Sequence, residues 1–208
     1  MTPEYGAARS PGRSGGKGIG VFLDRDGTIC EEVGYLDSPE KIRLIPGAGE
    51  AIRLLNENGI KAVMVTNQSG VARGFFSEAR LGEIHRELCR VLRAEGASLA
   101  GIYYCPHHPT EGRGRYLRSC DCRKPASGLL LRAAADLGLD LRRSYCVGDR
   151  LADLECGRQA GAKGVLVLTG YGKEEVSLAA AVPDRRPSSI AASLREAVRW
   201  ILDDLRET

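Results

Sequence analysis

Two carboxylates one residue apart, Asp24 and Asp26, close an apolar run, Val21-Phe22-Leu23, and Gly27-Thr28 follow at once. In an extended segment, side chains two positions apart share a face, so both acids look into one crevice beyond the carboxyl end of a strand. There one can attack while the other moves a proton. An acidic turn or a calcium loop is the alternative reading. A calcium loop, however, wants further ligands, a late glutamate and a preceding helix, whereas here a strand precedes.

Three more groups fall at the ends of predicted elements. The run Ile60 to Val65 ends in Thr66-Asn67-Gln68-Ser69-Gly70, whose hydroxyl and amide donors suit phosphate oxygens. Arg123-Lys124-Pro125 stands just before a helix start at Ala126-Ser127-Gly128, where a fixed cation would meet a dianion. Tyr145-Cys146-Val147 leads into Gly148-Asp149-Arg150-Leu151-Ala152-Asp153, a short strand, carboxylates and then a helix, which completes a magnesium site. Singly these are polar loops, surface patches or N-caps; in this order, each after a strand, they form a pattern.

In that order the chain resembles the haloacid dehalogenase-like phosphatases, whose four motifs match Asp24/Asp26, Thr66, Lys124 and Asp149/Asp153, over residues from about Gly20 to Gly172. The resemblance implies a magnesium-dependent phosphomonoesterase with an aspartyl-phosphate intermediate on Asp24. Asp26 would protonate the leaving oxygen and later deprotonate water. Magnesium would be held by Asp24, the backbone carbonyl of Asp26 and Asp149, with Asp153 acting from behind. Thr66 and Asn67 would donate to the phosphoryl oxygens, and Lys124 would counter the charge built in the transition state.

Seven cysteines in a chain with no secretory signature argue for metal ligation or buried thiols over a disulfide framework. Cys105-Pro106-His107 and Cys120-Asp121-Cys122 form C-x-H, twelve residues, C-x-C, a closed tetrahedral zinc set. A redox pair or a chance cluster remains the alternative. Similar loops occur in the histidinol-phosphate and heptose-bisphosphate phosphatases, which implies a structural zinc. The loop from His108 to Ser119 has few apolar residues with which to pack itself. Cys30, Cys89, Cys146 and Cys156 read as small buried hydrophobes or free thiols.

These residues need a scaffold, and the pattern between them supplies one. Strands are expected at Val21, Ile60, Gly101-Ile102-Tyr103-Tyr104, Ser144 to Val147 and Gly164 to Leu168, alternating with helices. One helix opens at Pro46-Gly47 and ends near Asn58-Gly59; another is capped by Ser77 and carries Leu81, Ile84, Leu88, Val91 and Leu92 on one stripe. His85 on that helix reads as a surface or packing histidine. A last amphipathic helix is read over the stripe Ile190, Leu194, Val198, Ile201, Leu202 and Leu205, with Trp200 partly buried.

The expected fold is therefore α/β, a single Rossmann-like, doubly wound parallel sheet with a zinc-binding loop insert and the crevice at the strands' carboxyl ends. Residues 1–18 read as a disordered tail, rich in Gly, Ser, Pro and Arg, and 19–208 as one phosphatase domain. Thr66 stands 42 positions after Asp24 and Lys124 stands 58 after Thr66, too few for a separate cap domain, so the enzyme is expected to be capless.

A formal charge of +3 gives no argument for nucleic acid or membrane partners, no apolar stretch reaches the roughly 18 residues of a span, and the N-terminus lacks the apolar centre of a signal peptide. A cytoplasmic monomer is the expectation.

Substrate choice must come from the rim. A flap from Glu31 to Ile45, the loop Val71-Ala72-Arg73-Gly74 and the zinc loop should form it, with Arg73, Arg113, Arg115, Arg118 and Arg123 on segments approaching the pocket. Together with Asn67, Gln68 and Lys124, Arg73 and Arg123 are read as substrate-binding. A basic rim suits a bisphosphate. The segments NQSGVARG and GIYYCPHHP look like the D-glycero-D-manno-heptose 1,7-bisphosphate 7-phosphatases, which implies hydrolysis of the C7 phosphate of a sugar bisphosphate in nucleotide-activated heptose synthesis. Histidinol-phosphate phosphatase is the second reading. A zinc-bearing nucleic-acid module using the basic loop is the third, though it has no need of paired acids.

Overall fold

A computed structural model describes residues 17–180 and 186–207. Residues 1–16 of the expected tail lie outside the described residues, while Gly18 already belongs to the fold, bridging Leu139 and bonding Gly138 and Asp140 through its backbone.

Six parallel strands form one sheet in the order β3-β2-β1-β4-β5-β6. They are β1 (Gly20–Leu23), β2 (Lys61–Asn67), β3 (Gly101–Cys105), β4 (Tyr145–Gly148), β5 (Lys163–Val167) and β6 (Ser189–Ala191). The helices are α1 (Ala48–Glu57), α2 (Gly70–Arg73), α3 (Glu78–Ala94), α4 (Gly128–Leu137), α5 (Leu151–Ala160), α6 (Gly172–Ala180) and α7 (Leu194–Arg206). This is the doubly wound strand order, and the chain reverses direction across the sheet between β1 and β4. No segment between β1 and β3 is long enough to hold a cap; α1, α2, α3 and a 3-10 turn at Pro39–Lys41 fill it.

Period-two alternation sorts the strand residues into two cores. Val21, Leu23, Ala62, Met64, Tyr145 and Val147 pack with Ile52 and Leu55 of α1, Ile84 and Leu88 of α3, and Val198 and Ile201 of α7. Phe22, Val63, Val65, Tyr103 and Cys146 face the other way, onto Leu129, Leu130 and Ala133 of α4 and Cys156 of α5. Both faces are covered, so the central strands are apolar in their middles and the polar chemistry is displaced to their ends.

One expectation changes and another narrows. Ile190 is not part of the last helix: it lies in edge strand β6 and is 47% exposed, while α7 begins at Leu194 behind the Ser193 cap. Its apolar character suited either reading, and a three-residue strand leaves no period to detect. His85 is fully buried, which selects packing over surface; it meets Tyr104 edge-on with ring centroids 5.6 Å apart. Ser77 caps α3 as expected, accepting from the Arg80 N–H at 3.1 Å, and Trp200 is half-buried against Tyr145.

Candidate active site

At the reversal between β1 and β4, the carboxyl ends of two strands splay and leave a crevice. Asp24 follows β1 and Asp149 follows β4; oxygens of Asp24, Asp149 and Asp153 lie within 4.8 Å of one another. Asp153 stands in the first turn of α5, where its Oδ2 accepts from the Arg150 N–H at 3.1 Å, a cap that also aims the carboxylate back at the crevice.

Lys124 enters this cluster from the turn that precedes α4. Its buried ammonium donates to Asp24 Oδ1 at 2.9 Å, Asp153 Oδ1 at 2.5 Å and the Val65 carbonyl at 2.9 Å. Burial opposes its charge, but Asp153 and Asp24 more than offset this and hold the lysine above its ordinary value. The acids are crowded in turn. Burial, with Asp153 and Asp26 adding repulsion against the pull of Lys124, raises Asp24 to about 6. Burial raises Asp149 to about 7, opposed by the Tyr171 N–H that its Oδ2 accepts at 2.8 Å, with Asp24 and Asp153 adding to the rise. One ammonium among three acids leaves a demand for further positive charge.

Glycines shape the pocket around Asp149. Gly27 has φ +73°, and a Cβ there would stand 2.1 Å from Asp149 Oδ2; one on Gly170 would stand equally close. Only glycine lets the β1 loop and the β5 loop close on that carboxylate, and Thr169 Oγ1 fastens them by donating to the Gly27 carbonyl at 2.6 Å. Such an enclosed oxygen-only donor set can hold a cation.

Asp26 is placed by three donors. Arg25 Nε reaches Oδ1 at 2.9 Å, Arg25 Nη2 reaches Oδ2 at 2.8 Å, and Gln68 Nε2 reaches Oδ2 at 3.0 Å. Gln68 also donates to Thr66 Oγ1 at 2.9 Å, so its amide serves Asp26 and Thr66 directly. Thr66 is buried at the end of β2. Asn67 differs from expectation: its Nδ2 donates to the Lys124 carbonyl at 3.1 Å and its Oδ1 accepts from the Lys124 N–H at 3.0 Å. Its first task is to hold the lysine segment against β2, which leaves at most one of its N–H groups for a phosphoryl oxygen.

The sulfur cluster gathers as the spacing predicted. Cys105, His107, Cys120 and Cys122 bring their ligand atoms within 4.8 Å of each other; the closest sulfurs, Cys122 and Cys120, are 3.1 Å apart and all seven cysteines are free. That spacing exceeds the about 2.05 Å of a disulfide, and the four groups are close enough together to hold one metal ion. The Cys105 thiol, and then those of Cys120 and the His107 ring, pull Cys122 down to about 5 against its burial.

The basic rim is smaller than the sequence suggested. Arg73 pairs with Glu111, and the Arg113 N–H donates to the Ala72 carbonyl at 3.0 Å, which lays the sulfur-bearing loop over α2. Arg123 Nη1 donates to the His107 carbonyl at 3.2 Å; burial first, then Arg123 and Arg73, hold the His108 ring below its ordinary value against the pull of Glu111. Arg115 and Arg118 turn elsewhere: Arg115 lies over the Tyr116 ring and 3.7 Å from Glu78, and Arg118 Nη2 is 2.9 Å from His107 Nε2. Both line an open cleft of about 970 Å³ along edge strand β3, whose lining does not include Asp24, Asp26, Asp149 or Asp153. The flap contributes Tyr35, edge-on to Phe75 at 4.5 Å.

Sequence reasoning passed over Arg25, although an arginine between two acids at a strand end could have prompted the question of what it binds. It also passed over Gly170 and Thr169, whose part depends on a contact between distant loops.

Comparison with known proteins agrees with this geometry. A family model described as HAD-hydrolase-like matches residues 121–197. A D-glycero-beta-D-manno-heptose-1,7-bisphosphate 7-phosphatase of Haemophilus ducreyi is 47% identical over 152 residues, covering 72% of this chain and 83% of that protein. A D-glycero-D-manno-heptose-1,7-bisphosphate 7-phosphatase of Thermosynechococcus vestitus is 40% identical over 189 residues, covering 89% of this chain and 96% of that one. Among solved structures, the D,D-heptose 1,7-bisphosphate phosphatase of B. bronchiseptica, complexed with magnesium and phosphate, superposes with a TM-score of 0.79 at 33% identity, covering 89% of this chain and 99% of its own. With the acids, the lysine and the sulfur cluster in place on the same doubly wound sheet, the chain belongs to the heptose-bisphosphate phosphatase family of haloacid dehalogenase-like hydrolases.

Proposed function

We propose that the protein hydrolyses the C7 phosphate of D-glycero-D-manno-heptose 1,7-bisphosphate, giving heptose 1-phosphate and inorganic phosphate, as a step towards nucleotide-activated heptose. The observation that carries this is the buried Lys124 ammonium bonded to Asp24 inside a crevice of three acids, an arrangement suited to drawing in a phosphoryl dianion beside a nucleophile.

Asp24 attacks phosphorus, the bond to the C7 oxygen breaks, and Asp26 gives that oxygen its proton. Asp26 then takes a proton from water, whose oxygen attacks the aspartyl phosphate; phosphate leaves and Asp24 returns as a carboxylate. Thr66 donates to the phosphoryl oxygens, and Lys124 offsets the charge they gather. Arg123 and Arg73, at the loop over α2, are assigned to the distal phosphate. Asp153 works through Lys124, whose position it fixes.

Asp24, Asp149 and the Asp26 carbonyl are assigned to magnesium, a hard cation that takes oxygen ligands. When bound it would neutralise the acids and bring the phosphate dianion within reach of a carboxylate. Cys105, His107, Cys120 and Cys122 are assigned to zinc; four protein ligands leave no open position, so its part is structural. The free thiols suit a reducing compartment, and we place the protein in the cytoplasm as a monomer acting on a small molecule, without nucleic-acid or membrane partner. Among the described residues no helix is long and apolar enough to cross a membrane.

A substrate panel tests the reading: both C1 anomers of the heptose bisphosphate, heptose 7-phosphate and histidinol phosphate, compared by kcat/KM for phosphate release. Preference for a bisphosphate anomer is expected. Preference for histidinol phosphate would replace the proposed substrate.

A further inference from the structure

Arg25 is the largest fully buried side chain of the described residues, with 1% of its surface exposed, yet it sits between the two acids of the catalytic pair. Burying a guanidinium is costly unless its charge is met by a well-placed partner. Among the described residues the carboxylate it pairs with is Asp26, through two parallel N–H bonds of 2.9 and 2.8 Å. Its remaining terminal nitrogen, Nη1, is buried with no partner, so the fold keeps an unsatisfied donor to retain this fork. His85 of α3 adds no second charge nearby: burial first, and then Arg25 itself, push its imidazole down to about 3.

The fork fixes more than a charge. A planar guanidinium bound bidentately sets the plane of the carboxylate, which a lysine ammonium, a point charge, does not. Gln68 adds a second donor to Oδ2, so Oδ2 accepts two bonds and Oδ1 one. Oδ1 therefore keeps the free lone pair. We propose that Arg25 is a positioning residue for proton transfer, clamping the Asp26 carboxyl so that Oδ1 faces the leaving oxygen. This rests on the reading of Asp26 as the acid and base.

Leaving-group dependence tests it. The parameter kcat/KM reports the first half-reaction, in which the proton is delivered. An alkyl phosphate, whose leaving oxygen is strongly basic, needs that proton; p-nitrophenyl phosphate, whose leaving phenolate is stable, needs it far less. General acid catalysis contributes about 10²- to 10⁴-fold, so Asp26→Asn sets the scale on both substrates.

Arg25→Lys keeps a cation and Arg25→Met fills the space. Both are expected to lower kcat/KM on the alkyl phosphate at least about tenfold more than on the aryl phosphate, a fraction of the Asp26→Asn ratio. A merely structural role for Arg25 would lower both substrates together. If Arg25→Met does not give a cooperative thermal transition, Arg25→Lys carries the comparison. Equal losses on the two substrates in the Arg25 variants, beside a leaving-group-dependent Asp26→Asn, overturn the clamp. Equal losses in Asp26→Asn overturn the acid and base reading, and the clamp with it.

Discussion

Removing the catalytic cation should turn the acid crevice into a pH-dependent weakness of the fold. Asp149 is 1% exposed, enclosed by Gly27 and Gly170, and is raised from 3.8 to about 7 chiefly by burial; Asp24 is raised to about 6. A carboxyl whose folded value exceeds its unfolded one stabilises the protein below the unfolded value, and this contribution is lost as pH rises through the folded one. The window is therefore about pH 4 to 7 for the metal-free protein, with stability falling as pH increases. At about 1.4 kcal/mol for each tenfold change in proton affinity, Asp149 alone corresponds to on the order of 4 kcal/mol. For a chain of this length about 1 kcal/mol moves Tm by roughly 2–4 °C, so a drop of ~8–16 °C between pH 4.5 and 8 is expected from this residue.

Thermal unfolding in chelator across that range, for the native chain and for Asp149→Asn, reads the effect of Asp149 together with its repulsion of Asp24 and Asp153, since the remaining titrating groups are common to both. The native curve should fall relative to the variant's. Magnesium should restore the native protein far more at pH 8 than at pH 4.5, since it binds the carboxylate form. Parallel Tm curves for the two proteins in chelator would refute the reasoning.

Three further outcomes probe the rest. Asp24→Asn should lower phosphate release by on the order of 10⁴-fold or more while the protein still binds magnesium weakly; near-normal turnover removes the covalent route. Gly27→Ala places a Cβ 2.1 Å from Asp149 Oδ2 at φ +73° and should abolish activity, whereas Gly59→Ala, at φ +71° with nothing within 4 Å, should cost only about 1–2 kcal/mol of stability and keep it; equal kcat/KM losses would show that strain and not the cradle matters. Cys120→Ser should lose the loop metal by elemental analysis, lower Tm and raise KM; unchanged metal content would remove zinc from the cluster.

Much of this site could be read from the chain because each motif is local. Asp24, Thr66 and Asp149 directly follow or close short apolar strands, and a doubly wound sheet sends such ends to one crevice. The spacing of Cys105, His107, Cys120 and Cys122 was likewise enough to gather them. What escaped was direction. Nothing in the segment KAVMVTNQ tells that Asn67 will grip the Lys124 backbone or that Gln68 will join Asp26 to Thr66. Arg115 and Arg118 share a loop with Arg113, but the loop's path over α2 turns them to edge strand β3. Ile190 fell into a helical stripe because one apolar residue fits two periods, and only pairing with β5 decides between them.

Lys124 stands two residues beyond Cys122, with Asn67 gripping its backbone from β2. The sulfur centre and the reaction centre thus share one short tether. If the four groups hold an ion, its loss would slacken that tether and let the Lys124 ammonium drift from Asp24. A hydrolytic crevice would in that case feel a change at side chains that take no part in its chemistry.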